Sequence, residues 1–353
     1  MIEQGAQQGA AHDAGADDAV ATRTVGGCHR AAGSVEGGRL PLAKRRGVPT
    51  GVLIVTGPTA SGKSALALAL AERFDAEIVG ADSRQIYRGM PIGTAAPGAD
   101  ELARVPHHLI GFLDPHERYS AARFVADALR AVDAAAGRGR RTIVVGGTGF
   151  YIRALAGDVG LSPAYDAALR ERLAHEARIH PTEALAEWLA ALAPQRAAAI
   201  DPNDPYRITR ALEVALAERA GPARADAAAA PAQNLRTLGV PYRKIALAVA
   251  PDVLARRIDA RVDAMLAAGL LDEAERVGAR AVAADAVGYR EALAYLAGWS
   301  TEAELREHLA RNTRRYAKRQ ATWLRSEPDL VSVADAEAFE QASDIAATLP
   351  GWR

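Results

Sequence analysis

Gly57-Pro-Thr-Ala-Ser-Gly-Lys-Ser64 is the stretch that decides how the rest of the chain is read. It fits the spacing G-x-x-x-x-G-K-[ST], with Gly57, Gly62, Lys63 and Ser64 in the fixed places. A short apolar run of strand type, Gly51-Val-Leu-Ile-Val-Thr56, precedes it. A helix-forming run, Ala65-Leu-Ala-Leu-Ala-Leu-Ala-Glu-Arg73, follows it. In that order, strand, glycine loop and helix make a phosphate cradle. The glycines let backbone N–H groups turn inward around an anion, and the helix N-terminus adds its partial positive charge. Lys63 reaches a terminal phosphate, and Ser64 supplies a ligand to Mg²⁺ on it. The pattern leaves open whether the anion is the γ-phosphate of a nucleotide or a diphosphate that itself departs.

The 353 residues suffice for one large or two modest domains, and the hydrophobic share of 49% fits a globular protein. The formal net charge is zero, so affinity for a polyanion has to come from local patches. A single cysteine, Cys28, excludes an internal disulfide and fits a reducing compartment. No apolar run is long enough to predict a transmembrane helix. The first twenty residues carry Glu3, Asp13, Asp17 and Asp18 and no apolar core of a secretory signal.

Residues 1–50 lack periodicity and read as a disordered extension. Apolar runs at 52–56, 77–81, 142–146 and 244–250, separated by helical patterns, predict an α/β fold with a parallel sheet flanked by helices. Between Asp166 and Ala220 the pattern is helical only, and it ends in the low-complexity stretch 221–231. The expected organisation is a P-loop-like core over 51–160 and 235–330, an inserted all-helical domain over 161–234, and a C-terminal tail over 331–353.

Asp82 follows the second strand directly, at the carboxyl end where open α/β sheets place ligands. It is a candidate general base or metal ligand; the competing role is that of a helix cap. The strand 142–146 ends in Gly146-Gly-Thr-Gly149, where nucleotide hydrolases carry a magnesium-holding Asp. That difference argues against simple hydrolysis, and a Gly-Gly-Thr turn permits close backbone approach to a ligand. Arg257 and Arg261 share a helix face and together suit a diphosphate. Arg311, Arg314, Arg315, Lys318, Arg319 and Arg325, with Tyr316 and Trp323 between them, form a basic stripe suited to a phosphodiester backbone. His107-His108 has no third ligand at metal spacing, so no zinc is assigned.

Over about residues 51–326 the chain resembles the tRNA dimethylallyltransferase (tRNA isopentenyltransferase) family. The resemblance rests on the phosphate loop and on Asp82-Ser-Arg-Gln-Ile-Tyr87, Ile92-Gly-Thr94, Pro106-His-His108, Tyr119-Ser-Ala-Ala122 and Gly146-Gly-Thr148. It continues through Asn203-Asp-Pro205, Arg210-Ala-Leu-Glu213, Val287-Gly-Tyr-Arg-Glu291 and Lys318-Arg-Gln-Ala-Thr-Trp-Leu-Arg325. Ala96 and Asp201 depart from residues common in the family. The resemblance implies transfer of a dimethylallyl group from dimethylallyl diphosphate to the N6 amine of the adenosine 3′ of the anticodon. The tRNAs concerned read codons beginning with U.

The resemblance further implies that Gly57, Pro58, Thr59, Ala60, Ser61, Gly62, Lys63 and Ser64 hold the diphosphate with Arg261 and Mg²⁺. Asp82 acts as base, with Lys63, Thr148 and Arg261 in the catalytic centre. The tRNA anticodon stem-loop is expected to meet Asp82, Ser83, Arg84, Gln85, Thr148, Arg170, Tyr206, Arg207, Ile208, Thr209 and Arg210. It is also expected to meet Asp285, Ala286, Val287, Gly288, Tyr289 and Arg290. A cytoplasmic monomer without membrane contact is expected. A P-loop small-molecule kinase and a free-adenylate isopentenyltransferase are the alternatives; the second needs neither the helical block nor the basic stripe.

Overall fold

The computed structural model describes residues 50–161, 167–219 and 233–353. Most of the N-terminal extension and the low-complexity stretch 221–231 lie outside these residues. The strands are β1 (Val52–Thr56), β2 (Ala76–Gly80), β3 (His107–His108), β4 (Arg141–Gly146), β5 (Tyr242–Ala248) and β6 (Leu330–Ala334). Their order in the sheet is β3-β2-β4-β1-β5-β6, and every neighbouring pair is parallel.

The helices are α1 (Lys63–Arg73), α2 (Pro91–Thr94), α3 (Ala99–Arg104), α4 (Ala121–Gly137), α5 (Gly149–Ala156), α6 (Ala167–Ile179) and α7 (Thr182–Leu192). They continue with α8 (Pro194–Ala197), α9 (Pro205–Arg219), α10 (Pro251–Ala267), α11 (Leu270–Val277), α12 (Tyr289–Leu296), α13 (Glu302–Leu324) and α14 (Ala338–Ala347). None of the described helices is long and apolar enough to cross a membrane.

The central strand shows why its sequence is a continuous apolar run. Leu53 and Val55 pack on α1 and α14, while Val52 and Ile54 pack on α4 and α5. A parallel sheet covered on both faces needs apolar side chains at every position. A further cluster joins Ile86, Tyr87 and Met90 to α10–α13. Helices α6–α9 enclose a core of their own around Leu173, Leu185, Leu189, Ile208 and Leu212.

Two strands escape the apolar pattern. β3 is only His107 and His108, and His108 spends its Nε2 on the Glu77 carboxylate at 2.6 Å. β6 is an edge strand with Val331 and Ser332 exposed and only Val333 buried, so it carries little hydrophobic signal.

The stretch 331–353 is therefore part of the core and not a tail. β6 pairs with β5, α14 packs on α1, and Gly51 N–H donates to the Pro350 carbonyl at 2.9 Å. Trp352 is 1% exposed, lies 5.4 Å from the Phe74 ring, and donates its indole N–H to the Gly51 carbonyl at 2.8 Å.

A second closure is ionic. Lys244 of β5 is fully buried between Asp158, after α5, and Glu327, after α13, with Nζ 2.6 Å from Glu327 Oε1. Arg153 of α5 takes the other Glu327 oxygen at 2.8 Å.

Removing a buried Trp side chain costs about 3–5 kcal/mol. Trp352→Ala is expected to lower the unfolding free energy by that much in a urea titration. A change under about 1 kcal/mol would return the segment to the status of a tail.

Candidate functional site

The phosphate loop joins β1 to α1. Gly62 takes φ 94°, a left-handed conformation that a side chain would strain, and so sets Lys63 as the first residue of the helix. Lys63 Nζ reaches the Pro58 carbonyl at 3.3 Å. Desolvation, more than anything else, pulls its pKa down to about 8; the Asp82 charge opposes this and Arg261 adds to it. Arg261 comes from α10 and bonds Thr59 Oγ1 at 3.2 Å and the Thr94 carbonyl at 3.3 Å. Burial lowers its pKa as well, again against the pull of Asp82. Two strand ends and one distant helix thus bring two cations and one carboxylate together.

Asp82 accepts the Arg84 N–H through Oδ1 at 2.9 Å, a turn bond of the kind an Asp makes in its own backbone. Its other oxygen accepts no hydrogen bond among the described residues. Turn-forming and site-facing roles therefore coexist in one side chain. Thr148 fixes this turn: its hydroxyl accepts the Ser83 N–H at 2.9 Å, and its own N–H donates to the Ala81 carbonyl at 3.2 Å.

The glycines of Gly146-Gly-Thr-Gly149 are there for protein neighbours, which corrects the expectation that they admit a ligand. A Cβ on Gly146 would lie 2.1 Å from the Ala81 carbonyl oxygen, one on Gly147 2.3 Å from Gln320 Nε2, and one on Gly149 2.2 Å from the Trp323 ring. Gln320, on α13, was not singled out by the sequence as a site residue. Its Oε1 accepts the Thr59 N–H at 2.8 Å and its Nε2 donates to the Gly147 carbonyl at 3.0 Å.

Glu273 was missed as well. Fully buried on α11, it accepts the N–H groups of Ile92 (3.0 Å) and Gly93 (2.8 Å) at the start of α2. That helix ends at Thr94, whose carbonyl receives both Arg261 and Gln85. An acidic residue on an amphipathic helix gives no sequence signal of such a task.

The pairing of Arg257 with Arg261 is corrected. Arg257 is held by Asp335 at 2.8 Å and touches the Ser61 carbonyl at 3.2 Å, so it braces the loop from behind. Among the residues expected to meet RNA, Ser83 and Gln85 are half-buried beside Asp82, and Arg84 pairs with the exposed Asp285 at 2.8 Å. Tyr206 is 79% exposed and Arg207 is exposed at the start of α9; Thr209 bonds the Pro205 carbonyl at 2.6 Å. Arg170 and Arg210 both pair with Glu213. Arg290 is exposed and Val287 half-buried.

Ile208, Ala286, Gly288 and Tyr289 are instead buried. Ile208 fills the core of α6–α9, and Tyr289 donates its hydroxyl to Glu273 at 2.6 Å. The side chains of Ile208, Ala286 and Tyr289 face protein, because helix and turn positions between exposed residues must fill the cores beneath them.

On α13, Arg314 is paired with Asp259 and Arg311 with Glu307, while Arg315, Lys318, Arg319 and, just past its end, Arg325 are exposed. Tyr316 lies close enough to Asp82 for that charge, after desolvation, to raise its pKa. Ser64 is exposed at the first turn of α1. No group of three or more His, Cys, Asp or Glu able to hold a metal occurs among the described residues. The residues present suit a hard cation held by one hydroxyl, with diphosphate and water as its remaining ligands.

The family described as IPP transferase matches residues 85–327, and the family described as Isopentenyl transferase matches residues 50–110. The tRNA dimethylallyltransferase of Geobacter sulfurreducens is 42% identical over 312 residues, covering 86% of this chain and 98% of the relative. That of Thiobacillus denitrificans is 47% identical over 296 residues, covering 81% and 92%. Among solved structures, the tRNA isopentenylpyrophosphate transferase of Bacillus halodurans superposes with a TM-score of 0.61 at 36% identity, over 84% of this chain and 96% of that one. A eukaryotic dimethylallyltransferase acting on tRNA superposes with a TM-score of 0.69 at 25% identity, over 85% and 78%. A family match across more than half of the chain and relatives this similar over nearly their full length lead to one assignment: the chain belongs to the IPP transferase family, that of the tRNA dimethylallyltransferases.

Proposed function

We propose that this chain is a prenyltransferase that moves a dimethylallyl group from dimethylallyl diphosphate to the N6 amine of the adenosine 3′ of the anticodon. The tRNAs it serves read codons beginning with U. The observation that carries the reading is the convergence of Lys63, Arg261 and Asp82 at the carboxyl ends of the strands.

When the allylic C–O bond breaks, negative charge grows on the diphosphate, where Lys63, Arg261 and the loop N–H groups await it. The amine nitrogen bonds the allylic carbon, and Asp82 takes the proton that the nitrogen sheds. Ser64 would hold Mg²⁺, which would supply further stabilisation of the charge on the diphosphate. The target base is extruded from the anticodon stack to reach Asp82. Arg84, Arg170, Tyr206, Arg207, Arg210, Arg290 and the exposed side of α13 supply phosphate contacts and stacking for the stem-loop. The proposed centre draws every group from one chain, so a monomer suffices for the reaction, and the cytoplasm is the compartment proposed for it.

Transfer to free adenylate is the weaker reading. The Isopentenyl transferase match ends at residue 110, before the helical block and α13. Labelled dimethylallyl diphosphate offered with an anticodon stem-loop, AMP or ATP is expected to label the stem-loop alone. Labelled AMP, or loss of the ATP γ-phosphate, would overturn the reading. In the same assay Asp82→Asn is expected to bind both substrates and turn over about 10²–10⁴-fold more slowly. A near-normal single-turnover rate would reduce Asp82 to its turn bond with Arg84.

The lowered pKa of Lys63 sets a pH dependence. The ammonium form exists below about pH 8 and is lost above it. Because kcat/KM reports the free enzyme, kcat/KM for dimethylallyl diphosphate is expected to fall above about pH 8. Lys63→Arg, charged throughout, is expected to abolish that alkaline limb whatever its absolute rate. A flat wild-type profile to pH 9.5 would contradict this.

A further inference from the structure

Tyr151 lies on α5, three residues after Thr148, and is 6% exposed. Its ring is stacked on Phe124, with centroids 4.4 Å apart and planes 12° apart, and meets Tyr119 edge-on at 6.4 Å. A ring clamped in this way fixes the place of its hydroxyl. Among the described residues two other tyrosines are as fully buried, and both spend their hydroxyls within the protein. Tyr87 donates to the Glu117 carbonyl at 3.1 Å and Tyr289 to Glu273 at 2.6 Å. No hydrogen bond reaches the Tyr151 hydroxyl among the described residues. Among the described residues it is not one of the buried side-chain atoms left unpartnered, so the hydroxyl is the end of a buried ring that stays open to solvent, and hence to a ligand.

The surroundings of the hydroxyl say what it can meet. Desolvation raises its pKa, Tyr87, Asp82 and Tyr206 add to the rise and Arg84 opposes it, so these four groups lie near a hydroxyl that is protonated at neutral pH, as an ordinary phenol is. These groups sit on the turn beside Asp82 and on the exposed start of α9, not on the phosphate loop. The hydroxyl is therefore a donor at the end of the site where the base enters.

We propose that Tyr151 recognises the substrate base, its hydroxyl donating a hydrogen bond to the purine ring nitrogen that flanks the amine facing Asp82. This rests on the prenyl-transfer reading above. Adenine has an acceptor on each side of its amine, N1 and N7, so a fixed donor beside the carboxylate seats the amine against Asp82. Tyr151 thereby divides the work: Asp82 moves the proton and Tyr151 orients the ring that carries it.

Tyr151→Phe keeps the stacked ring and removes only the donor. With an anticodon stem-loop as acceptor, the variant is expected to lose about 5- to 100-fold in kcat/KM for RNA, the usual effect of an unsatisfied buried acceptor. KM for dimethylallyl diphosphate and Tm should not move. Stem-loops carrying 1-deaza- or 7-deaza-adenosine at the target give the decisive comparison. One of the two should slow the wild type, and the same analogue should slow Tyr151→Phe no further. An unchanged kcat/KM in Tyr151→Phe, equal slowing of variant and wild type by both analogues, or a lowered Tm with altered diphosphate KM would each overturn the proposal. Wild-type enzyme that labels no stem-loop would instead sink the prenyl-transfer reading beneath it, and the role of Tyr151 with it.

Discussion

One side-chain amide, that of Gln320, joins the two loops between which the chemistry has to happen. It accepts from the Thr59 N–H in the phosphate loop and donates to the Gly147 carbonyl at the end of β4. The Thr148 turn next to Gly147 in turn carries Ser83, and Ser83 adjoins Asp82. Both halves of the amide are used, so neither loop can shift without leaving a part-buried polar atom unpaired. The absence of a Cβ at Gly147 is what lets the amide come so near.

This brace sets the electrostatics of the centre. Desolvation lowers the pKa of both Lys63 and Arg261, and at Lys63 the neighbouring Arg261 charge adds to it. Asp82 is the one group acting against that push in both cases. An anion entering the cradle offsets the same cost of holding charge away from water. Binding energy is thus stored beforehand in the arrangement of the cations and released where charge develops.

How much of this the sequence discloses follows from where each residue's signal lies. The phosphate loop is legible because its glycine, lysine and serine are fixed by backbone geometry at short range. β1, β4 and β5 are legible because both faces of the sheet are buried. β3 and β6 are not, since one is two histidines and the other an edge strand with one buried residue. Gln320 and Glu273 act on backbone atoms far away in sequence, and nothing local to them marks such a partner. The Gly146-Gly-Thr-Gly149 turn shows the opposite error: a glycine run invites a ligand on paper, while here carbonyl, amide and indole groups of the same chain fill the space.

The order of strands has a consequence for synthesis. β1 is the first strand made and lies near the middle of the sheet, yet Gly51 at its start is bonded to Pro350 and to the Trp352 indole. One face of the sheet is sealed by α14, and the edge beside β5 is covered only by β6. While the ribosome is still translating the middle of the chain, the strands already made have an open edge and a face that α1 covers only in part. The helices α6–α9, with their own core, can collapse early, but the half that carries the phosphate loop closes only after residues 330–352 emerge. A chain that stalls before residue 330 therefore exposes the edge of β5 and the apolar patch that α14 covers in the finished fold.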